Sequence, residues 1–258
     1  MMELVRAVGK VFLHFLKATG QLAIFTYHTI VNCFTPPFYL KQIFDQVVEI
    51  GFYSLPVVAL TTFFSGAVIA LQTYAGFSQI SAESAVAMVV LIAVTRELSP
   101  IMAGLMVAGR IGAAMAAEIG TMRVTEQIDA LSTLSTNPFK YLIAPRIIAG
   151  ILMVPVLVLI GDIIGICGGY IIGIYKLDFN PTSYLINTWM YLKYMDIITG
   201  LVKAAVFGFI ITLLGCYHGF NSKGGAQGVG AATTNAVVSA SILILIFNYL
   251  LTEIFFNT

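Results

Sequence analysis

A charged pair interrupts a long apolar run in the first half of the chain. The stretch LIAVTRELSPIMAG, residues 91–104, places Arg96 beside Glu97, with Pro100 one turn later. A lone charge at the centre of a membrane helix costs about 2.5–3.5 kcal/mol on insertion scales. Neighbouring helical side chains point about 100° apart, so the two charges do not cancel and each needs its own partner, wet cavity or polar ligand. The pair therefore predicts either an interhelical ion-pair network or a substrate or coupling site.

Residue types that would support other chemistry are scattered or missing. The cysteines and histidines do not cluster as metal ligands or as a disulfide framework. They are Cys33, Cys167 and Cys216, and His14, His28 and His218. The sequence contains no G-x-x-x-x-G-K-[ST] phosphate loop, zinc-hydrolase helix or serine nucleophile elbow, and a net charge of +1 gives no basic footprint for nucleic acid. We expect no catalytic residue, metal, cofactor or nucleic-acid partner for this chain.

The elements that hold the charged pair are predicted to be membrane helices. Of the 258 residues, 59% are hydrophobic and 10% are charged, whereas soluble domains carry about 25% charged residues. Five apolar blocks reach the length of about 20 residues that crosses a bilayer, and strand-type alternation is absent from the sequence. The blocks cover roughly residues 52–75, 85–117, 147–175, 198–218 and 234–256. The pattern predicts an all-α membrane protein with a transmembrane region over 52–256.

The second block is too long for a straight crossing. Its 33 residues would reach about 50 Å as a helix, against a hydrocarbon core of about 30 Å. Pro100 favours a bend, because it offers no N–H to the carbonyl of Arg96 and its ring crowds that turn. Helix geometry is therefore expected to be weakest beside the charged pair, while Arg110 anchors the inner end of the block by reaching towards water.

Small residues recur every four positions in two of the blocks. The series are Gly161, Gly165, Gly169 and Gly173, and Gly104, Ala108, Gly112, Ala116 and Gly120. Such spacing lets helix backbones approach closely in a membrane, either within one subunit or between subunits. Asp162 lies beside the first series and is expected to face protein or water rather than lipid.

The N-terminal segment has the pattern of a helix that lies in the membrane surface. Its polar residues recur at helical spacing on one face. They are Lys10, His14, Lys17, Gln21, His28 and Asn32. This predicts an interfacial helix region over residues 1–45, with a sixth span as the alternative. Lysine and arginine are concentrated in the connections on the same side as this segment, which predicts a cytoplasmic N-terminus and a periplasmic C-terminus.

The connection after the second block, residues 118–137, reads as a short amphipathic helix. Its charges have both signs and a negative balance, which disfavours binding to anionic lipid. Docking into the groove of a partner protein is the favoured use.

Two stretches carry a resemblance to a known family. RELSPIMAGLMVAGRIGAAMAAEIGTMRVTEQIDAL, followed by NPFKYLIAPRIIAG, resembles the MlaE permease family, the membrane subunits of ATP-binding-cassette (ABC) transporters that move phospholipids between the two membranes of Gram-negative bacteria. The likeness covers most of the chain. It implies one permease domain over residues 1–258, built from an interfacial helix and five transmembrane helices and working as a homodimer in the inner membrane. It also implies a role in maintaining the lipid asymmetry of the outer membrane.

The resemblance further implies partners and site residues. The partners are a cytoplasmic ATPase that binds the ATP and magnesium, a STAS-domain protein on that ATPase, and a hexameric periplasmic MCE-domain protein. Residues 118–137 become the helix that couples to the ATPase, through Glu118, Gly120, Met122, Arg123, Glu126, Gln127 and Asp129. The lipid cavity is lined by Arg96, Glu97, Ile69, Tyr74, Phe77 and Ile80. The stretch SKGGAQGVGAATTNAVV lacks the arginines that relatives carry before the last span, so no role of those arginines transfers.

Two other functions compete with a lipid permease. A proton-coupled secondary transporter would use Glu97 and Asp162 as proton carriers and would need neither ATP nor the 118–137 helix. A purely structural anchor for a periplasmic ring would tolerate an apolar pair in place of Arg96 and Glu97.

Overall fold

The computed structural model describes the backbone of residues 2–77 and 83–256, and the side chains of residue 13 and of residues 16–76 and 85–255. Every regular element in these residues is helical. Five of the described helical segments are long and apolar enough to cross a membrane, which confirms the predicted number of spans. They are Leu40–Gly76, Ala85–Val124, Phe139–Tyr175, Tyr194–Phe220 and Gly225–Phe255.

The chain begins with two helices before the first span is complete. Helix α1 covers Met2–Phe34, α2 covers Leu40–Gly51, and a 3₁₀ turn at Phe52–Ser54 joins α2 to α3, Leu55–Phe77. The predicted interfacial region over residues 1–45 thus covers α1 and the first residues of α2, and α2 belongs to the helical segment that continues into the first span. Helix α1 is not one of the five candidate spans, and its interfacial position stays a prediction.

Helix α1 packs against the end of the bundle that carries the 118–137 connection. The buried ring of Phe25 lies 5.3 Å from Phe139, 5.4 Å from Tyr217 and 5.9 Å from Phe220, measured between centroids. This aromatic cluster joins α1 to the start of the third span and the end of the fourth.

The second span is a nearly continuous helix with two π-helical turns. Helices α4 (Glu83–Ala93), α5 (Ser99–Val107) and α6 (Ala113–Val124) are joined by π turns at Val94–Leu98 and Ala108–Gly112. The first π turn contains both members of the charged pair and ends just before the proline, and the second contains Arg110. The prediction of disturbed helix geometry beside Pro100 is confirmed, since π turns are local departures from the α-helical ladder and are frequent at functional sites.

The predicted coupling-helix connection over residues 118–137 is divided between two helices, and its coupling role stays a prediction. Helix α6 continues without a break to Val124, the chain turns at Glu126 with φ of 60°, and α7 covers only Gln127–Thr133. Polar residues at the inner end extend the helix of the span because straight-chain Glu, Met and Arg are good helix formers, so the loss of hydropathy does not mark the end of the helix.

The remaining helices complete the bundle. After a π turn at Phe139–Ile143 come α8 (Ala144–Tyr175), α9 (Pro181–Tyr191), α10 (Tyr194–Phe220) and α11 (Gly225–Phe256). The interval between the last two predicted blocks, residues 219–233, shrinks to a short turn, because α11 begins at Gly225, directly after Gly224. The φ values of Gly224 and Gly225, 89° and 67°, suit glycine. Helix α9 starts with Pro181, and the Asn180 side chain caps it by accepting from the backbone N–H of Thr182 and of Ser183.

The glycine series hold helices together within this chain. A Cβ on Gly66 of α3 would overlap the carbonyl oxygen of Gly165 in α8, so the two backbones touch. In the other series, Gly104 faces Phe207 and Ile244 of α10 and α11. Of the two uses predicted for these series, packing within one subunit is the one that the described residues show.

Candidate functional site

The charged pair lies where the first π turn of the second span meets α10 and α11. Arg96 faces the start of α10, and its Nε and Nη2 atoms both lie 2.9 Å from Oδ1 of Asp196. The Asp196 side chain is 2% exposed and that of Arg96 is 27% exposed. The ion pair therefore holds the guanidinium from its buried side.

Glu97 is held by three side chains from the last two helices. Its Oε1 atom lies 2.8 Å from Nζ of Lys203 and accepts a hydrogen bond from the Thr252 hydroxyl at 2.9 Å. Its Oε2 atom accepts from Nδ2 of Asn248 at 2.9 Å. The Glu97 side chain nevertheless keeps 34% of its surface exposed.

Lys203 is the buried centre of this network. Its side chain is 0% exposed, and the ammonium group has three partners for its three N–H donors. Besides Glu97 these are the Thr252 hydroxyl at 2.7 Å and the carbonyl oxygen of Arg96 at 2.9 Å. That carbonyl is the one to which Pro100 has no N–H to offer, so the lysine occupies the gap that the proline leaves.

The expectation that each charge needs its own partner is confirmed. Two cations and two anions form separate pairs, Arg96 with Asp196 and Glu97 with Lys203, that join the second span to α10. Such pairs are stabilising only when hydrogen bonds satisfy the remaining groups. Both Glu97 oxygens accept such bonds, whereas Oδ2 of Asp196 and Oδ1 of Asn248 have no hydrogen-bond partner among the described groups. The interhelical network therefore exists, and the exposed parts of Arg96 and Glu97 are what a ligand could reach.

Sequence reasoning missed the partners, although signals for them were present. Lys203 is a lone cation within the fourth apolar block, and Asp196 lies two residues before that block. The two are seven residues apart, which places them on one helical face. Asn248 and Thr252, four residues apart in the last block, share a face in the same way.

The structure describes the side chains of only some of the other residues expected to line a lipid cavity. Ile69 lines a shallow cavity of about 320 Å³ together with Leu98, the residue after Glu97. Tyr74 is partly exposed and its ring lies 5.6 Å from that of Phe179. The side chain of Phe77 and the whole of Ile80 lie outside the described residues.

The residues expected to couple to an ATPase divide between α6 and α7. Glu118 pairs with the buried Arg146 at 2.8 Å, and Arg123 pairs with the exposed Asp129 at 2.6 Å, linking the two helices. The others occupy distinct local positions: Gly120 packs near Ser222 and Val229, Met122 is half-buried, Glu126 forms the turn, and Gln127 starts α7 and donates to the Thr125 hydroxyl.

Asp162 faces protein, as expected. It is 6% exposed, and its Oδ1 atom has no hydrogen-bond partner among the groups that the structure describes. In the same part of the chain, no group of three or more His, Cys, Asp or Glu side chains is arranged to hold a metal ion.

Comparisons with known proteins agree across nearly the whole chain. The family profile described as "Permease MlaE" matches residues 43–254. A "Probable ABC transporter permease protein" of Rickettsia felis is 59% identical over 257 residues, which cover 100% of this chain and 99% of the relative. The "Intermembrane phospholipid transport system permease protein MlaE" of Haemophilus influenzae is 31% identical, over 98% of this chain and 97% of the relative. A probable ABC transporter permease of Synechocystis is 39% identical over 84% of this chain and 82% of its own length.

Proposed function

Because this chain belongs to the MlaE permease family, we propose that it is the membrane-spanning subunit of an ABC transporter that moves phospholipids between the inner and outer membranes. ATP is hydrolysed by a separate partner subunit. The multi-pass helical bundle and the name of the Haemophilus relative support this function, and the maintenance of outer-membrane lipid asymmetry follows from it.

The observation that carries the proposal is the unequal burial within the ion-pair network. Asp196 and Lys203 are almost completely buried, whereas Arg96 and Glu97 keep about a quarter to a third of their side-chain surface exposed. A phospholipid headgroup carries a phosphate, and often an amine. Arg96 can donate charge-assisted hydrogen bonds to the phosphate, and Glu97 can accept from the amine. The buried partners hold both groups in position for this contact.

Ile69 and Leu98 form an apolar wall next to these charges. They share one hydrophobic cluster and line the same shallow cavity. In the proposal, the acyl chains lie along this wall and Tyr74 extends it, while Phe77 and Ile80 remain predicted lipid contacts. A homodimer completes the cavity, which opens towards a hexameric MCE-domain protein.

The segment from Glu118 to Asp129 is proposed to contact the ATPase. Its exposed Asp129, held by Arg123, lies at the same end of the bundle as α1. The ATPase in turn carries the STAS-domain protein and the ATP and magnesium. This arrangement places the N-terminus in the cytoplasm and the C-terminus in the periplasm.

The test compares Arg96→Gln with Arg110→Gln in the reconstituted transporter. Both arginines lie in π turns of the same span and are similarly exposed, but Arg110 pairs with Glu49 at the other end of the helix. Loss of a charged hydrogen bond costs about 1.5–3 kcal/mol, so Arg96→Gln should slow phospholipid transfer between vesicles about 10- to 100-fold. Copurification with the ATPase should be unchanged, and Arg110→Gln should transfer lipid normally.

A charge swap separates lipid contact from packing. Arg96→Asp combined with Asp196→Arg keeps an ion pair between the helices but moves the cation to the buried position. Full recovery of transfer by the swap, or normal transfer by Arg96→Gln, would refute the headgroup role. Transfer that runs on a proton gradient without the ATPase would refute the ABC mechanism itself.

A further inference from the structure

A second cavity lies between α4, α8, α9 and α10 and has no role in the function proposed above. Its volume is about 350 Å³, within the range of about 300–1,000 Å³ that is usual for small-molecule sites. Neither Arg96, Glu97, Ile69 nor Tyr74 lines it. The lining residues are Leu91, Thr95, Leu159, Asp162, Ile163, Ile166, Cys167, Leu185, Thr188, Trp189, Leu192 and Ile197. We call it the lateral cavity.

The walls of the lateral cavity are apolar even where polar residues contribute. The Thr95 hydroxyl donates to the carbonyl of Leu91 and the Thr188 hydroxyl to the carbonyl of Tyr184, both at 2.9 Å. Both hydroxyls are therefore satisfied within their own helices. Asp162 is almost completely buried, and its Oδ1 atom is inaccessible. A site with so few available polar groups is unfavourable for water, which needs two to four partners.

Helix α9 covers the lateral cavity and connects it to an exposed apolar surface. It lies between the end of one span at Tyr175 and the start of the next at Tyr194, which places it at the membrane surface. Its inner face is anchored by the buried Tyr184. Its outer face exposes Leu185, Ile186, Trp189 and Met190, at the spacing of one helical face.

The two surfaces are continuous. Leu185 and Trp189 line the lateral cavity and also belong to the exposed face of α9. An amphipathic helix with tryptophan at the level of the membrane surface is typical of contact with the boundary between headgroups and acyl chains. The apolar opening of the cavity therefore lies where lipid chains are present.

We propose that the lateral cavity binds one acyl chain of a membrane phospholipid, which enters beneath α9 from the side of the bundle. The walls and the opening are apolar and lie within the membrane-spanning part of the fold, so the chain needs no polar partner there. This site is separate from the charged pair. It rests on the membrane location of the helices, and it holds whether or not Arg96 binds a headgroup.

Trp189 reports on this site directly, because it is the single tryptophan of the chain. The purified full-length chain in detergent is titrated with phosphatidylcholine whose acyl chains carry bromine, which quenches tryptophan fluorescence on contact. We expect saturable quenching that approaches its limit at about one lipid per chain. Quenching that rises in proportion to lipid without saturating would mean contact with bulk lipid only, and would overturn the proposal.

A matched pair of variants locates the lipid. Cys167→Phe fills the lateral cavity, whereas Ile171→Phe places the same aromatic side chain one turn further along α8, outside the lining. The saturable quenching should weaken at least fivefold in the first variant and persist in the second. Equal quenching in both variants would refute the assignment. Lipid transfer by Arg96→Gln and quenching in Cys167→Phe are separate measurements on separate residues, so a failure of the transport proposal is distinguishable from a failure of this one.

The unmodified chain provides a second measurement that does not depend on any substitution. Cys167 is exposed and lines the cavity, Cys33 is half-buried and Cys216 is buried, so alkylation is read at Cys167 by peptide mass. Unbrominated phosphatidylcholine should slow the alkylation of Cys167 by N-ethylmaleimide severalfold. Unchanged alkylation would overturn the proposal. Trp189 emission that depends on the concentration of the chain and not on lipid would also overturn it, because a second copy of the chain would then fill the cavity.

Discussion

Replacing Lys203 by methionine should strongly destabilise the fold. The substitution keeps the length of the side chain but removes the buried cation that Glu97, Thr252 and the Arg96 carbonyl share. Removal of one partner of a buried ion pair costs about 3–5 kcal/mol. Since Glu97 is one-third exposed, it recovers part of its solvation, and we expect the lower end, about 3 kcal/mol. For a chain of this size that corresponds to a fall of roughly 6–12 °C in Tm.

The reason for the loss is tested by adding Glu97→Gln. If the uncompensated carboxylate dominates the cost, the double variant should recover at least about half of the lost stability, because no buried charge is left unpaired. Unfolding can be followed through the reaction of the buried Cys216 with a thiol-specific fluorophore on heating, in a background with Cys33→Ser and Cys167→Ser. Additive effects of the two substitutions would show that Glu97 and Lys203 are not energetically coupled, and a Lys203→Met variant with unchanged Tm would show that the network contributes nothing to stability.

Three further predictions concern other contacts. Gly66→Ala should lower stability by about 1–3 kcal/mol because the added methyl group overlaps the backbone of α8, while Gly76→Ala, with open space around it, should be neutral in the same melting assay. Glu118→Ala should cost about 1–3 kcal/mol by leaving the buried Arg146 without its carboxylate, and adding Arg146→Met should recover most of it. Burial raises the pKa of Tyr184 from 10.0 to about 12. The stability that the neutral Tyr184 phenol contributes should therefore be present below pH 10 and lost as pH rises through about 12. In melting curves recorded against pH, Tyr184→Phe should reduce this loss.

The membrane-spanning architecture could be predicted because hydropathy measures the property that a bilayer selects. Each apolar block became a span, but the helices extend beyond the blocks. Residues 40–51 are amphipathic and residues 225–233 are rich in glycine and alanine, so neither stands out in hydropathy, yet both are helical. Helix ends depend on local propensity and on packing against neighbouring helices, and the hydropathy of a block predicts neither.

The candidate site could be predicted only in part. The cost of a charge in the membrane identified Arg96 and Glu97, and Pro100 identified the turn that would depart from α-helical geometry. The partners lie 100 and 106 residues away in the sequence, and which charges meet is decided by how the spans pack. A search for polar residues at helical spacing inside the fourth block would have found Lys203, but could not have paired it.

The network stabilises the bundle and can still contact a ligand, because the two roles use different surfaces of the same residues. Backbone carbonyls within a membrane need hydrogen-bond partners; Pro100 offers no N–H to the carbonyl of Arg96, and Lys203 donates to it. Lys203 in turn requires Glu97 as its counter-ion, so proline, lysine and glutamate are mutually dependent. None of these contacts covers the exposed parts of Arg96 and Glu97. The presence of charges in this span is thus explained by packing alone, whereas their partial exposure is not, and that exposure is the feature that supports a headgroup site.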